Sequence, residues 1–389
     1  MMFSFGRNFW LLSISMFLFM TSFNLIIPVL NGFITHLDGE NYKGLIFLFF
    51  SLSAAISRPF SGKLSDNLGR KPVMFIGVAL AACSSLLYPL STTVSLFLGL
   101  RLIHGFSAGF LPTGATALAT DILPADKRGQ GMGIWGVFIS LGFGVGQSFG
   151  SLIEQAFGID ALFFFGTIVC LVAGILLLYV KETLPIERRV KFHFGLLKVN
   201  WKDVFEPSVL PVGIVMFLSA TCSGAVFVLV PDLAGYVGIE NTGAYFTYYA
   251  FSTILVRLFS SSMSDIIGRR KSLIIGVSLL IASMLLTAFT RNELTFGIAA
   301  TLFGIATGIN SPTLMAWMGD LSPVHRRGAG SGTLFIALEL GIMLGAGITL
   351  LTYKNDLESM FFTFICAMCF AIVGLIYLIW HLNRRESLT

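Results

Sequence analysis

Charged residues are scarce in this sequence of 389 residues, where Asp, Glu, Lys and Arg together make up only 12%. Soluble domains contain about 25%. This shortage, together with a mean hydropathy of +0.85, excludes an ordinary soluble globular protein. Long polar runs are also missing, apart from one stretch between Lys181 and Pro207. The composition therefore predicts an integral membrane protein.

The motifs that usually mark an enzyme or a metal site are also missing. The sequence has no glycine-rich phosphate loop, no His and Cys at metal-binding spacing, and no convincing pair of nucleophile and base. Its five cysteines all lie in apolar runs, and Cys366 and Cys369 have no His or charged neighbour inside their run. We therefore expect no enzyme activity, no metal and no cofactor.

Apolar runs long enough to cross a bilayer recur along the whole chain. A spanning helix needs about 20 apolar residues. The first run, from about Phe9, is too long for the apolar core of a signal peptide, so we expect it to be a spanning helix. Runs that qualify begin near residues 9, 43, 73, 94, 131, 160, 209, 241, 272, 294, 330 and 357.

The twelve predicted spans fall into two groups of six. We predict an all-α membrane protein with an N-terminal six-helix bundle (1–181), a cytoplasmic linker (182–208) and a C-terminal six-helix bundle (209–389). The linker interleaves basic residues with Phe, Leu and Trp, for example around Trp201 and Lys202. This pattern favours a helix lying at the membrane surface, with a solvated loop as the alternative.

Basic residues are distributed unevenly between the two sides of the predicted membrane. With an even number of spans both termini share one side, and nineteen of the 25 Lys and Arg residues fall on it. Only Lys43, Arg291 and Lys354 fall in loops of the opposite side. Because cytoplasmic loops carry the excess of Lys and Arg, we expect cytoplasmic termini, in the inner (plasma) membrane of a bacterium. The net charge of +5 is then a signal of topology and not of nucleic-acid binding.

The two halves of the sequence repeat each other at a constant offset of 199 residues. Each half has an even number of spans, so the repeats are parallel and related by an axis along the membrane normal. Such a pair encloses a central site, which is exposed to each side in turn when one half rocks against the other. The matched pairs include Asp66 with Asp265, Gly69 with Gly268, Arg70 with Arg269, Asp121 with Asp320, and Arg128 with Arg327.

A polar loop with two glycines follows the second predicted span. Its sequence, Gly-Lys-Leu-Ser-Asp-Asn-Leu-Gly-Arg-Lys, begins at Gly62. Gly62 lets a neighbouring helix come close, and Gly69 permits a tight turn. Asp66 lies at a helix end, where its carboxylate can accept hydrogen bonds from another helix or pair with a cation. Arg70 can reach a carboxylate at a helix end, and Asp121 is the obvious candidate.

This loop resembles the signature loop between the second and third helices of the major facilitator superfamily. Asn67 departs from the pattern, because the family usually has a cation there. With the spans, the linker and the repeat, the resemblance covers nearly the whole chain and implies twelve transmembrane helices in the major facilitator fold. It also implies a cytoplasmic gate that locks the outward-open state, formed by Gly62, Asp66, Gly69, Arg70, Lys71, Asp121, Asp265, Gly268 and Arg269.

Two further segments are similar to motifs of proton-coupled members of that family. Leu100–Gly109 resembles the fourth-helix motif, whose Arg101 would lie inside the membrane and needs a carboxylate, a substrate anion or water beside it. His104 replaces the usual Gln. It is either a neutral core imidazole or a titrating group, since its unperturbed pKa lies near neutrality.

The second segment lies on the fifth span, where glycines recur at the spacing of a drug/proton antiporter motif. Gly133, Gly142, Gly146 and Gly150 would let this helix pack closely against the opposite half, although they also fit a generic packing face. Gln147 stands where that motif has a helix-bending proline, which weakens the antiporter inference. The Gln147 amide could instead face the cavity.

Isolated polar residues within the spans are candidates for the substrate and proton pathway. Glu339 lies near the middle of the eleventh span, and we expect it to carry a coupling proton or to bind a cationic group, unless it is a structural partner of an Arg. In the resembled family, helices 1, 4, 7 and 10 line the cavity. The remaining candidates are Asn24, Asn31, Arg101, His104, Gln147, Asp232, Asn310 and Trp317.

We therefore predict a secondary active transporter that exports a small amphipathic compound by alternating access and is coupled to protons. It would be a monomer in the lipid bilayer, with a small-molecule substrate. One alternative is proton-coupled or facilitative uptake of a sugar, carboxylate or other metabolite. An alternative of another class is a receptor or lipid scramblase on the same fold.

Overall fold

The computed structural model describes residues 5–39, 42–198, 205–239, 243–260, 263–354 and 356–386, which are mostly helical and contain no strand. The half before the linker contains α1 (Arg7–Leu25), α2 (Leu30–His36), α3 (Lys43–Asn67), α4 (Arg70–Leu87), α5 (Val94–Ala108), α6 (Leu111–Ile122), α7 (Arg128–Phe157) and α8 (Ile159–Leu178). The half after the linker contains α9 (Leu210–Tyr236), α10 (Ala244–Ser260), α11 (Met263–Ile266), α12 (Arg269–Ala288), α13 (Glu293–Leu321), α14 (Arg327–Thr352) and α15 (Leu357–Glu386).

The predicted spans match these helices closely. Across the described part of the chain, eleven helices are long and apolar enough to cross a membrane. The position of the eighth predicted span is filled by α10, which has 17 described residues, and the short α11. The fourth span is divided into α5 and α6 at Gly109, three residues before Pro112. The all-α membrane architecture expected from the sequence is confirmed.

Between residues 182 and 198, the linker does not form the surface helix that its sequence suggested. It contains two short 3₁₀ turns, Ile186–Arg188 and Phe194–Leu197. Hydrogen bonds to the first half hold it extended: Val190 N–H donates to the Asn67 carbonyl at 2.9 Å. The segment around Trp201 and Lys202 lies outside the described residues.

Glycines set the closest helix contacts within each half. A Cβ atom added at Gly142, Gly146 or Gly150 of α7 would overlap the backbone of α1 in the same half. In the second half, Gly341 and Gly345 of α14 meet the backbone of α9 in the same way. The prediction that the α7 glycines pack against the opposite half was therefore wrong for these three. Their spacing defines a face of the helix, but not which neighbour that face meets.

The halves meet along two seams related by the repeat. In one seam α3 packs on α14, and in the other α7 packs on α10. Both seams reach the end of the bundle that carries the linker and the turns at Gly69 and Gly268, which we call the linker end. The opposite end carries the turns at Gly158 and Gly238.

The packing of α14 on α9 gives a test of these glycine contacts. In Gly345→Ala the new methyl would overlap the carbonyl of Thr221 and lie 2.8 Å from the amide nitrogen of Ala225. We expect a loss of about 1–3 kcal/mol, typical of overpacking, visible as a lower melting temperature of the purified protein. Gly347→Ala is the matched control, because nothing lies within 4 Å of its Cβ position. Equal melting temperatures of the two variants would contradict this packing.

Candidate functional site

At the linker end, the signature loop builds a buried ion cluster within the first half. Arg70, which is 3% exposed, places Nη1 2.9 Å from Oδ1 of Asp66 and Nε 3.2 Å from Oδ2 of Asp121. Gly69 makes the turn between α3 and α4 with a φ of 122°, which favours glycine. The Arg70 guanidinium therefore ties the ends of three helices together.

Asp66 also reaches across the α3/α14 seam to the other half. Its carboxylate accepts from the backbone N–H groups of Gly328 at 2.9 Å and Ala329 at 3.0 Å, in the first turn of α14. A helix N-terminus has unpaired N–H groups and a partial positive charge, so it binds a carboxylate well. A Cβ at Gly62 would lie 3.0 Å from the Gly328 carbonyl, which explains the glycine at this crossing.

The second half repeats this arrangement on the α7/α10 seam. Asp265 accepts from the N–H groups of Gly129 at 3.2 Å and Gln130 at 3.0 Å, in the first turn of α7. It also pairs with Arg269, which follows the turn at Gly268, where φ is 92°. Each half thus binds the start of one helix of the other half through an aspartate.

Two further ion pairs cross between the halves. Nη1 of Arg327 lies 3.0 Å from Oδ1 of Asp121, and Nη1 of Arg128 lies 2.9 Å from Oδ1 of Asp320. Asp320 also binds Nε of Arg269 at 2.9 Å. The prediction omitted Asp320, Arg128 and Arg327 from the site, although the repeat had already matched them in pairs.

The linker end is therefore closed by a cluster with balanced charge, which we call the linker-end cluster. Its members are Asp66, Arg70, Asp121, Arg128, Asp265, Arg269, Asp320 and Arg327. Lys71 contacts the linker side instead: its N–H donates to Glu182 at 2.8 Å and its Nζ donates to the Leu178 carbonyl at 3.1 Å.

Two turns of α3 from Asp66, a second ion pair lies buried in the α3/α14 seam. Nη2 of Arg58 lies 3.1 Å from Oε1 of Glu339, and the two residues are 3% and 6% exposed. Nη1 of Arg58 donates to Thr113 at 3.1 Å, and the guanidinium stacks on Phe335, 4.5 Å from the ring centre. The partner of Glu339 is thus an arginine of the opposite half, which sequence spacing could not reveal.

The repeat places Arg257 at the equivalent point of the α7/α10 seam, in different surroundings. Arg257 is 4% exposed, and its Nη1 donates to the Gly136 carbonyl and, at 2.8 Å, to the Ser140 hydroxyl. Ser140 is the repeat equivalent of Glu339. Arg257 consequently faces a carbonyl and a hydroxyl where Arg58 faces a carboxylate.

Arg101 and His104 meet at the buried hydroxyl of Tyr88. Nη1 of Arg101 donates to this oxygen at 3.2 Å, and the oxygen lies 3.1 Å from Nδ1 of His104. Arg101 can only donate, so the Tyr88 oxygen accepts from it, and the Tyr88 hydroxyl can in turn donate to Nδ1 of a neutral His104. This network, with the Arg101 guanidinium 4.6 Å from the Phe50 ring centre, favours a neutral core imidazole.

Asn24 and Gln147 come together inside the first half. Nε2 of Gln147 lies 3.5 Å from Oδ1 of Asn24, and Asn24 also donates to the Met20 carbonyl at 2.7 Å. The two side chains therefore lie where α7 packs on α1. Asn31 belongs to α2, but its side chain lies outside the described part of the structure.

The remaining candidates lie apart from one another. Asn310 is buried against Gly276 of α12, and Trp317 lies under the Arg270 guanidinium, whose carbon is 5.8 Å from the ring centre. At the opposite end, Asp232 accepts from the Tyr353 hydroxyl at 2.9 Å. Partial burial, with the neighbouring Tyr236 and Asp232, raises the pKa of Tyr353 well above its usual range.

An aromatic cluster bridges the halves near the middle of α7. Phe143 of the first half lies 6.0 Å from Phe227, 6.4 Å from Phe246 and 5.8 Å from Tyr249 of the second half, measured between ring centres. All four side chains are partly exposed. Sequence reasoning did not find this cluster, because Phe is common throughout the spans.

Comparisons with known proteins agree with this architecture. Residues 12–248 and 212–388 match the profile of the Major Facilitator Superfamily. Multidrug resistance protein 2 of Bacillus subtilis is 26% identical over 385 residues, which cover 93% of this chain and 92% of that protein. The multi-drug resistance efflux pump PmrA homolog of Lactococcus lactis is 26% identical over 330 residues, covering 82% of this chain and 81% of that protein.

A solved structure shows the same fold. The crystal structure of the human organic anion transporter MFSD10 (TETRAN) superposes with a TM-score of 0.82 at 21% identity, covering 96% of this chain and 99% of that one. The family profile matches almost the whole length of this chain. The chain therefore belongs to the major facilitator superfamily, and it is a multi-pass membrane transporter of small molecules and not an enzyme.

Proposed function

We propose that this transporter exports small amphipathic compounds in exchange for protons, by alternating access. The observation that carries the proposal is the buried Arg58–Glu339 ion pair, which joins the two halves about two helical turns from the linker-end cluster. A carboxylate that holds the halves together only while ionised can couple a proton to their separation. The two bacterial relatives, a multidrug resistance protein and an efflux pump homolog, support export as the direction.

The excess of basic residues supports a cytoplasmic linker end. In that orientation the described state is closed to the cytoplasm, because four cross-half contacts seal the linker end. They are Asp66 with the start of α14, Asp265 with the start of α7, Asp121 with Arg327, and Asp320 with Arg128. This is the arrangement needed for a state that faces outward.

Protonation of Glu339 would destabilise that closed state. A neutral Glu339 leaves the Arg58 guanidinium buried without a counter-charge, and breaking a buried pair in this way costs about 3–5 kcal/mol. Shifting a two-state equilibrium from 1:99 to 99:1 takes about 5.5 kcal/mol. One proton therefore supplies most of the energy needed to favour a state in which the α3/α14 seam is open and Arg58 meets water.

The transport cycle follows from this shift between the closed and open states when Glu339 gains or loses its proton. A proton that reaches Glu339 from outside opens the linker end, and the proton then leaves to the cytoplasm. The ionised Glu339 pairs again with Arg58 and closes the linker end, which carries a bound compound outward. The partly exposed ring cluster around Phe143 offers an aromatic surface for the apolar part of that compound.

Glu339→Gln tests the coupling. Glutamine can still accept from Arg58 but cannot exchange a proton. In proteoliposomes we expect stimulation of transport by a pH gradient to be at least about tenfold weaker in the variant, equivalent to about 1.4 kcal/mol, while binding of a fluorescent drug to the purified variant continues. Glu358→Gln, at an exposed position in the first turn of α15, is the control.

Two results would count against the proposal. Full stimulation of Glu339→Gln by the pH gradient would remove Glu339 from the coupling. Accumulation of the drug inside vesicles when the outside is acidified would indicate uptake by symport instead of export.

Asp66→Asn tests the gate. The carboxylate accepts two N–H groups of α14, and a hydrogen bond to a charged group contributes about 1.5–3 kcal/mol. We expect the ratio of closed to open linker ends to fall at least about tenfold. Double electron–electron resonance measures this ratio with spin labels at Ala125 and Val324, which are exposed and equivalent in the repeat. The short distance reports the closed state and the long distance reports the open state.

Asp160→Asn is the matched control, because Asp160 lies in the first turn of its own helix, α8, and is exposed. An unchanged distance distribution in Asp66→Asn would show that Asp66 does not hold the gate.

A further inference from the structure

Charge is not balanced in the interior of this transporter. The linker-end cluster contains four arginines and four aspartates. Farther into the membrane the chain has three arginines, Arg58, Arg101 and Arg257, and one mid-span acid, Glu339. A charge inside the membrane is costly unless it is paired or hydrated. The interior therefore has an excess of positive charge. Because Glu339 pairs with Arg58, the excess lies on Arg101 and Arg257.

The other two arginines differ in how completely the protein surrounds them. Arg101 is held by the Tyr88 hydroxyl, the Ile46 carbonyl and the face of Phe50. Among the described residues, Arg257 donates to the Gly136 carbonyl and the Ser140 hydroxyl, both from the opposite half, and its buried Nε makes no hydrogen bond there. Opening of the α7/α10 seam would remove both acceptors.

The repeat shows which groups Arg257 lacks. Arg58 binds Glu339 across the seam and Thr113 within its own half, whereas the equivalents for Arg257 are Ser140 and Pro312. Beside Arg257, in place of the threonine hydroxyl, is a cavity of about 10 Å³ lined in part by Gly308, Pro312 and Thr313. That is room for about one water molecule and too little for a carboxylate.

We propose that Arg257 binds the anionic group of the transported compound, so that the substrates are amphipathic anions with an aromatic ring. This rests on the proposed alternating-access export. When the linker end opens, Arg257 loses the Gly136 carbonyl and the Ser140 hydroxyl. Its guanidinium then faces the space that opens between the two halves, with no protein carboxylate paired to it. An anion from the cytoplasm replaces them. When the seam closes, the carbonyl and hydroxyl return to the guanidinium and the anion is displaced toward the opposite end.

The aromatic part of the site lies on the same two helices. Phe143 is three residues beyond Ser140 on α7, and Tyr249 lies two turns before Arg257 on α10. Their rings are 5.8 Å apart across the seam. An anion at Arg257 could therefore place an attached ring against this cluster, and the combination selects an aromatic anion over a cation.

The test measures binding of two dyes to the full-length protein purified in detergent, at a single pH. The dyes are the anion carboxyfluorescein and the cation rhodamine 6G. We expect fluorescence anisotropy to show preferential binding of the anion. Arg257→Gln should weaken it at least about tenfold, since it removes the charged donor that binds the anion. Arg257→Lys should retain part of it.

Ser140→Glu separates a binding role from a folding defect. It gives Arg257 the carboxylate that Glu339 gives Arg58, so it should occupy the guanidinium itself. We expect a melting temperature no lower than that of the wild type and a loss of anion binding of at least about tenfold. Ser140→Gln, of similar size but neutral, should weaken anion binding much less.

The inference is overturned if the wild type fails to bind the anion, prefers the cation, or keeps its anion affinity in both Arg257→Gln and Ser140→Glu. These binding outcomes are measured without a pH gradient, so they do not test proton exchange. Anion binding through Arg257 without stimulation by a pH gradient would refute the proposed proton exchange and leave the anion site standing. Gradient-driven export of cations alone would refute the anion site and leave the proposed proton exchange standing.

Discussion

The closed linker end depends on one interaction that occurs twice: an aspartate of one half caps the first turn of a helix in the other. Asp66 binds the start of α14, and Asp265 binds the start of α7. The N–H groups at a helix start have no partner within the helix, so each carboxylate satisfies donors that would otherwise require water. In the proposed cycle, opening of the halves exchanges these carboxylates for water at the same N–H groups, which would keep both states accessible. Arg70, Arg269 and the ion pairs of Arg128 and Arg327 hold the carboxylates in position.

The repeat explains why the gate is symmetric, and its departures indicate where the chemistry differs. Both seams contain a buried arginine two turns from the gate, but only one faces a carboxylate. In the proposed mechanism the α3/α14 seam holds the proton-sensitive contact, and the α7/α10 seam holds the contact that a substrate anion replaces. In this account, one gene duplication supplied both the moving parts and, after divergence of Glu339 and Ser140, the separate sites for proton and substrate.

Much of the fold was predictable, because spans and repeat are properties of local composition and of a constant offset. The linker-end cluster was predictable in part: Asp66, Gly69 and Arg70 lie in one short loop, and the repeat supplied Asp265 and Arg269. Contacts between the halves were not predictable, since the spacing of residues along the sequence does not show that Arg58 meets Glu339 or that Arg128 meets Asp320. The same limit explains why the α7 glycines were assigned to the wrong neighbour, and why the Phe143 cluster could not be told from lipid-facing phenylalanines. Tertiary hydrogen bonds to the first half also overrode the helical pattern of the linker.

In the proposed mechanism, the charge of Glu339 decides whether the linker end is closed. The most direct measurement is the pH dependence of the distance between spin labels at Ala125 and Val324, in the wild type and in Glu339→Gln. An ionised Glu339 stabilises the closed state and a protonated one does not, so acidification should convert the wild type from short to long distances. The Glu339→Gln variant should show the long distance at every pH. Two results would show that the charge of Glu339 does not control the linker end. One is a wild-type distance distribution that does not change with pH, and the other is a Glu339→Gln distribution that changes with pH as in the wild type.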